Sequence, residues 1–247
     1  MAHLPPAGAI VNRALRWRSA GRTAQGKGRA RNEDAWLDCP QRGCWAVADG
    51  MGGHRAGNVA SQRVVSSLAA LPAHGGFEQR IDAVRRCLRD LDSQLQAADG
   101  LAGIMGSTVV VLLLEHDRAA CIWAGDSRCY LWRSKCLYQL SRDHSLQQQL
   151  MDKQQLSLER ARAHPDARAL TRAIGARQPL SLEILEFCAH PGDVFLLCSD
   201  GLYQGLSHSE LGSAMSAGTP RKVVERLFSD ALRAAAKDDL TAVVVQP

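Results

Sequence analysis

Four acidic positions stand where apolar strand-like runs end. Asp49 closes the run in WAVADGMGGHRAG (45–57), Asp126 follows IWA in IWAGDSR, Asp200 follows FLLC in FLLCSDG, and Asp238, with Asp239 beside it, precedes TAVVVQ in KDDLTAVVV. Taken singly, an Asp-Gly or Asp-Ser step is a turn former. Four at strand ends form a set that rigid elements can aim at one place. Two carboxylates about 4 Å apart repel by roughly 4 kcal/mol at an effective dielectric near 20, so a cluster needs a counter-ion. Protonation could relieve one pair but not a whole cluster at neutral pH. Oxygen donors without His or Cys suit hard cations, Mg²⁺ or Mn²⁺. The glycines after Asp49 then acquire a use, because bare backbone lets the Gly50 carbonyl approach a metal and leaves room for its waters.

The elements that must carry these residues are legible as runs. Strand-length apolar segments occur at 44–48, 107–114, 119–124, 129–133, 193–199 and 241–246. Residues 56–71 keep Val59, Val64, Val65, Leu68 and Leu71 roughly on one side, and Phe77, Ile81, Val84, Leu88, Leu91 and Leu95 align on one helical face. Two consecutive helices followed by consecutive strands predict segregated layers, not a βαβ repeat. Thr219 and Pro220 read as the N-cap and first position of a C-terminal helix through about Ala235, with Val223, Val224 and Leu227 inward. Residues 1–12 are expected to be a loose lead-in and 13–247 one domain. Within it, 145–178, rich in Gln, Arg and Ala, breaks the strand pattern as an inserted flap.

The 247 residues suffice for one well-buried domain and are short for two. No 18-residue apolar run occurs, and MAHLPPAGAIVN lacks the apolar stretch of a secretory signal, so a cytoplasmic protein without a membrane partner is expected. The eight cysteines contain no C-x-x-C pair and read mostly as free core thiols. The net charge of +5 is concentrated in residues 1–31, which hold seven Lys or Arg and no acid. In ALRWRSAGRT, however, Leu15 and Trp17 alternate with Arg16 and Arg18, the period of a strand with one wet face, so no nucleic-acid partner is expected.

GKGRARNEDAW, VADGMGGHRAG, GSTVVVLLL, WAGDSRCYLWR, LSRDHS, LTRAIGA, LLCSDGL and KDDLTAVVV follow one another in this order. Together they resemble the metal-dependent Ser/Thr protein phosphatases of type 2C, the PPM family, in its compact bacterial form, over about residues 14–246. The resemblance implies an α+β fold, a four-layer α-β-β-α sandwich. It implies that Asp49 bridges two metals, that Gly50 gives its carbonyl to one, and that Asp200 and Asp238 ligate the other. It further implies that Asp34 holds a metal-bound water, that Asp126 ligates a weaker third metal, and that Arg29 binds phosphate through its guanidinium fork. The activity implied is hydrolysis of phosphoserine and phosphothreonine in proteins by a water bridging two Mn²⁺ or Mg²⁺ ions, in opposition to a bacterial Ser/Thr kinase. A forkhead-associated adaptor and type VI secretion regulation are suggested by the same analogy. Two departures stand out: Asp238 is followed by Asp239 where relatives commonly have Asn, and His54 comes four residues after Gly50, so that it reads equally as general acid or loop support. Asp239 either adds charge near the metals or faces solvent. The alternative from another class is a catalytically silent module that binds a phosphorylated partner; the full acidic set and Arg29 argue against it.

Overall fold

The computed structural model describes residues 17–52, 56–72, 74–98, 105–234 and 237–246. Two antiparallel sheets stack face to face. One is ordered β1 (Arg18–Ala24), β11 (Leu240–Gln246), β10 (Val194–Cys198), β7 (Arg128–Arg133), β8 (Cys136–Gln139). The other is ordered β2 (Asp34–Cys39), β3 (Cys44–Met51), β5 (Val109–Glu115), β6 (Arg118–Ala124), β9 (Glu183–Cys188), with the short β4 (Gly106–Ser107) on the end of β3. Helices α1 (Ala56–Ala69) and α2 (Phe77–Ala98) cover the second sheet, and α5 (Asp200–Gln204), α6 (His208–Met215) and α7 (Pro220–Arg233) lie with the first. The expected four-layer arrangement is thus the observed one.

Three cores fill the three gaps between layers, and the period of two in a strand assigns residues to them. Trp45, Val47, Val110, Leu112, Phe195 and Val243 meet between the sheets. Their neighbours Ala46, Ala48, Val109, Val111 and Leu113 face α1 and α2, while Ala242 and Val244 face α7. Both faces being buried, these strands read as continuous apolar runs and not as alternation. The chain passes from one sheet to the other between β1 and β2, between β6 and β7, between β8 and β9, and between β9 and β10.

Several expectations need correction. Val59 is 42% exposed, because the face of α1 that meets the sheet is formed by Gly57, Ala60, Ser61, Val64 and Leu68, and position 59 lies off that stripe. Thr219 occupies the N-cap of α7 without a side-chain capping bond, and the helix ends at Arg233. The thiols divide: Cys44, Cys121, Cys129 and Cys198 are buried, whereas Cys136 and Cys188 are exposed. Strands β2, β8 and β9 and helix α6 were not expected. The last has a sequence signal, a capping box in which Ser207 and Glu210 bond each other's backbone N–H. Residues 145–178 carry α3 (Leu146–Gln154) and α4 (Leu158–Arg162), and then return to the sandwich, where Ile174 is fully buried in the core under α2 and bridges Ser107. Among the described residues no helix is long and apolar enough to cross a membrane.

Candidate active site

All the acidic positions lie at one end of the sandwich. Asp34 opens β2 directly opposite Asp49 near the end of β3. Asp126 follows β6, Asp200 follows β10, and Asp238 precedes β11. Asp49, Gly50, Asp126, Asp200, Asp238 and Arg29 line a common cleft of about 790 Å³. His54 lies outside the described residues.

Local chemistry explains each placement. Asp49 is pinned through its backbone: its N–H donates to Thr108 Oγ1 (3.0 Å) and its carbonyl accepts from the Thr108 N–H (2.8 Å). Gly50 follows because no other residue fits: a Cβ there would stand 2.0 Å from the Gly57 carbonyl oxygen and 2.8 Å from that of Glu33. Strand β3 and the first turn of α1 therefore pack backbone on backbone beside Asp49, a reason for the glycines additional to metal access. Gly125, at φ +109°, turns the chain out of β6 so that Asp126 reaches the cleft. Its N–H donates to His144 Nδ1 (3.1 Å), and Tyr203 donates to the Asp126 carbonyl (3.0 Å). Burial holds the His144 ring below its usual pKa, and the bond from Gly125 requires Nδ1 to be unprotonated. Arg128 of GDSR grips Asp143 of LSRDHS through both carboxylate oxygens (2.8 and 2.6 Å) and stacks on Tyr203. Two sequence blocks with no evident mutual role are thus one clamp.

Asp34 joins the two sheets. Its Oδ2 accepts from Thr241 Oγ1 (2.6 Å) on the opposite sheet and from Ser199 Oγ (2.7 Å) just beyond the end of that sheet's β10, while its Oδ1 is buried without a hydrogen-bond partner. Ser199 and Thr241 escaped the sequence reading, since a hydroxyl in or beside a strand carries no signal until the sheets are stacked.

Electrostatics marks the cluster as under tension. Burial pushes the Asp34 carboxyl up to about 7, against the two hydroxyl bonds that pull it down. Asp126 is also pushed up to about 7 and Asp200 to about 6, each by burial first and then by a neighbouring carboxylate. Asp49 is raised well above the carboxylate range by burial together with Asp34, Asp200, Asp126 and Asp238. Among the described residues, no three acidic, His or Cys side chains already surround one point as a closed metal cage. Asp238 is instead turned to Arg29, whose Nε and Nη2 donate to its two oxygens (2.7 and 2.8 Å). The donor set nonetheless fits hard divalent cations: it is all oxygen, its charges raise one another's pKa, and Asp34 presents an unused buried oxygen.

Asp239 does not face solvent, and its charge adds to the cluster by helping to raise the Asp34 carboxyl. It is 3% exposed, and its two oxygens accept from the N–H groups of Gly26 and Glu33 (2.8 Å each). It clamps both ends of the loop that carries Arg29. Asp239→Ala should leave both N–H groups without that acceptor and lower stability by about 2 kcal/mol, seen as an earlier thermal melt; an unchanged melt would show the clamp to be idle.

Comparison with known proteins bears on this geometry. The sequence model of the family described as Protein phosphatase 2C matches residues 20–244. The serine/threonine protein phosphatase PstP of Mycobacterium tuberculosis is 36% identical over 232 residues, covering 92% of this chain and 44% of PstP, so the chain spans under half the length of that relative. Among solved structures, PppA, described as a key regulatory component of T6SS in Pseudomonas aeruginosa, is similar with a TM-score of 0.88 and 40% identity, covering 94% of this chain and 98% of PppA. The catalytic domain of PstP in complex with two manganese ions is similar with a TM-score of 0.80 and 33% identity, covering 93% and 97% of the two chains.

Proposed function

We propose, from the premise that this chain belongs to the protein phosphatase 2C family, that it hydrolyses phosphoserine and phosphothreonine in proteins with two divalent cations, Mn²⁺ or Mg²⁺. The observation that carries this reading is the set of mutually raised, half-buried carboxylates around an unpartnered Asp34 oxygen. Asp49, Asp200, Asp238 and the Gly50 carbonyl would hold the two cations, with Asp34 beside them; Asp126 would hold a weaker third. When bound, such ions supply Lewis acidity and a nucleophilic water at neutral pH. The chain's own residues do the rest. Thr108 fixes the Asp49 backbone, and Ser199 and Thr241 fix Asp34 with its Oδ1 left to accept a proton from a water. Arg29 already holds a carboxylate through its fork, the geometry that a phosphoryl group also fits. That pair is 44% and 32% exposed and is worth about 0–1 kcal/mol, so exchanging one bidentate anion for another costs little.

The full acidic set supports turnover over a silent binding role. An opposing Ser/Thr kinase, a forkhead-associated adaptor and a cytoplasmic site of action belong to the same proposal. Similarity to PppA supports a place in type VI secretion regulation. Residues 145–178, of which Arg168 and Thr171 line the cleft, are read as a flap over it.

Purified protein should hydrolyse a phosphothreonine peptide with added Mn²⁺ and stop with chelator; full turnover after rigorous metal removal would refute the proposal. Stability should follow with a defined sign. Asp34, Asp126 and Asp200 titrate near 7, 7 and 6 in the fold, above the unfolded value of about 3.9. Their contribution to stability in metal-free protein is therefore full below about pH 4 and is lost as pH rises through 6 to 7. Cations compete with these protons, so the rise in melting temperature on adding Mn²⁺ should be larger near pH 7.5 than near pH 5.5. An equal rise at both would exclude these carboxylates as ligands.

A further inference from the structure

Three arginines near the cleft are already matched to an acid: Arg29 to Asp238, Arg128 to Asp143, Arg172 to Glu183. Four cations are not. Among the described residues, the exposed side chains of Arg162, Arg168, Arg177 and Lys237 make no hydrogen bond or ion pair to the protein. Their places are related. The catalytic cleft is flanked by two grooves, of about 390 Å³ and 550 Å³. The first runs from Asp126 past Arg162 toward Ser207, and the second runs from Asp238 past Lys237. Arg168 borders the cleft and both grooves, and it is near enough to Asp200 to oppose the rise in that carboxyl's pKa. Arg177 lies in the cleft wall itself. Of the carboxylates in these walls, Asp143 is committed to Arg128 and Asp238 to Arg29, Asp49, Asp126 and Asp200 belong to the candidate metal set, and the Glu33 carboxyl packs beside Gly57; none of them forms an ion pair with the four cations.

Resting on the phosphatase reading above, we propose that the site selects phosphopeptides that carry a second anionic group within a few residues of the scissile phosphate, with Arg168 and Arg162 as its principal binders and Lys237 serving the opposite side. Exposed cations around an anionic centre have no ion pair within the protein to break, so an anionic flank gains attraction that a neutral one does not. A carboxylate and a phosphate share the chemistry that an arginine fork recognises. Lysine-rich flanks meet like charge and are disfavoured.

The test compares phosphothreonine peptides of equal length with neutral, Glu-rich or Lys-rich flanks, plus one bearing a second, non-hydrolysable phosphonate, all with Mn²⁺ and with nitrophenyl phosphate as a reference. At low ionic strength the Glu-flanked peptide should exceed the neutral one in kcat/KM by about fivefold, the gain expected of two or three exposed ion pairs. A larger gain for the phosphonate peptide than for the Glu peptide would identify a second phosphate as the preferred anion; the reverse would identify carboxylates. The ratio should shrink in about 0.5 M salt and fall toward one in Arg162→Gln/Arg168→Gln, with the neutral peptide as internal reference in each enzyme. A wild-type ratio near one, a preference for lysine, or a ratio that survives the double substitution would overturn the proposal while nitrophenyl phosphate and neutral peptide still turn over. Loss of all turnover, nitrophenyl phosphate included, would instead remove the phosphatase reading and this proposal with it.

Discussion

Replacing Asp49 by asparagine should lower phosphothreonine-peptide turnover by at least about 10³-fold, equivalent to roughly 4 kcal/mol of barrier, while making the metal-free protein more stable. The two signs come from one cause. The Asp49 carboxylate is largely withdrawn from solvent and stands among Asp34, Asp200, Asp126 and Asp238, all of which oppose its charge. Asparagine keeps the shape and removes that repulsion, so the chelated protein should melt about 2–6 °C higher near pH 7.5, as expected for a gain of one to two kcal/mol in a domain of this size. The same change removes an anion that four neighbouring carboxylates oppose, and with it cation binding. Turnover and thermal melting with and without Mn²⁺ check both halves. Near-normal turnover would mean that the site is misplaced, and a lower melt without metal would mean that Asp49 is a structural acceptor.

Gly50→Ala should be nearly as damaging by a different route. The new methyl would sit 2.0 Å from the Gly57 oxygen and 2.3 Å from its carbonyl carbon, and backbone cannot yield as a side-chain tip does. Strand β3 and helix α1 would have to part by about 1 Å, which costs about 3 kcal/mol of overpacking and displaces the Asp49 carboxylate by enough to lower turnover about 10²-fold. Gly57→Ala is a useful companion, because its methyl would meet the Glu33 carboxyl group at 2.9 Å as well as the Gly50 carbonyl carbon. A flexible side chain can move, so the companion should fare better. Chemical denaturation and kcat measured on both variants decide; wild-type behaviour of Gly50→Ala would show that the two backbones separate freely.

The parts of the fold legible in the sequence were those with both faces buried. Strands such as VVVLLL in β5 and AVVV in β11 announce themselves because each side chain meets a core. Strand β8 (CLYQ) is an edge with two exposed ends, and β9 (EILEFC) keeps only Glu183, Ile184 and Phe187 half-buried and leaves Leu185 exposed, so neither produces a run. Helix α6 is short and contains Gly212 against Trp132, and its capping box was the one available sign. Of the site, Asp49, Asp126, Asp200 and Asp238 were readable because an apolar strand ends or begins beside each one, whereas Asp34 opens a strand that makes no apolar run and was given only by the family resemblance. Their supports were not. Ser199 and Thr241 matter only through a contact across the sandwich, and the roles of Asp239 and Arg29 depend on which partner the folded loop presents: Asp239 takes backbone N–H groups, and Arg29 takes Asp238.

The chain's repeated passage between sheets has a consequence for how the protein reaches its native state. Arg29 and Asp34 lie on the passage from β1 to β2, Asp126 on that from β6 to β7, and residues 145–178 on that from β8 to β9, while Asp200 and Asp238 belong wholly to the other sheet. Neither sheet alone contains the site, and the Asp34 bonds to Ser199 and Thr241 form only when the two are docked in register. A folding intermediate with one sheet complete would carry several of the aspartates and have no centre. Acquisition of cation affinity during refolding therefore times the docking of the sandwich halves and not the formation of either.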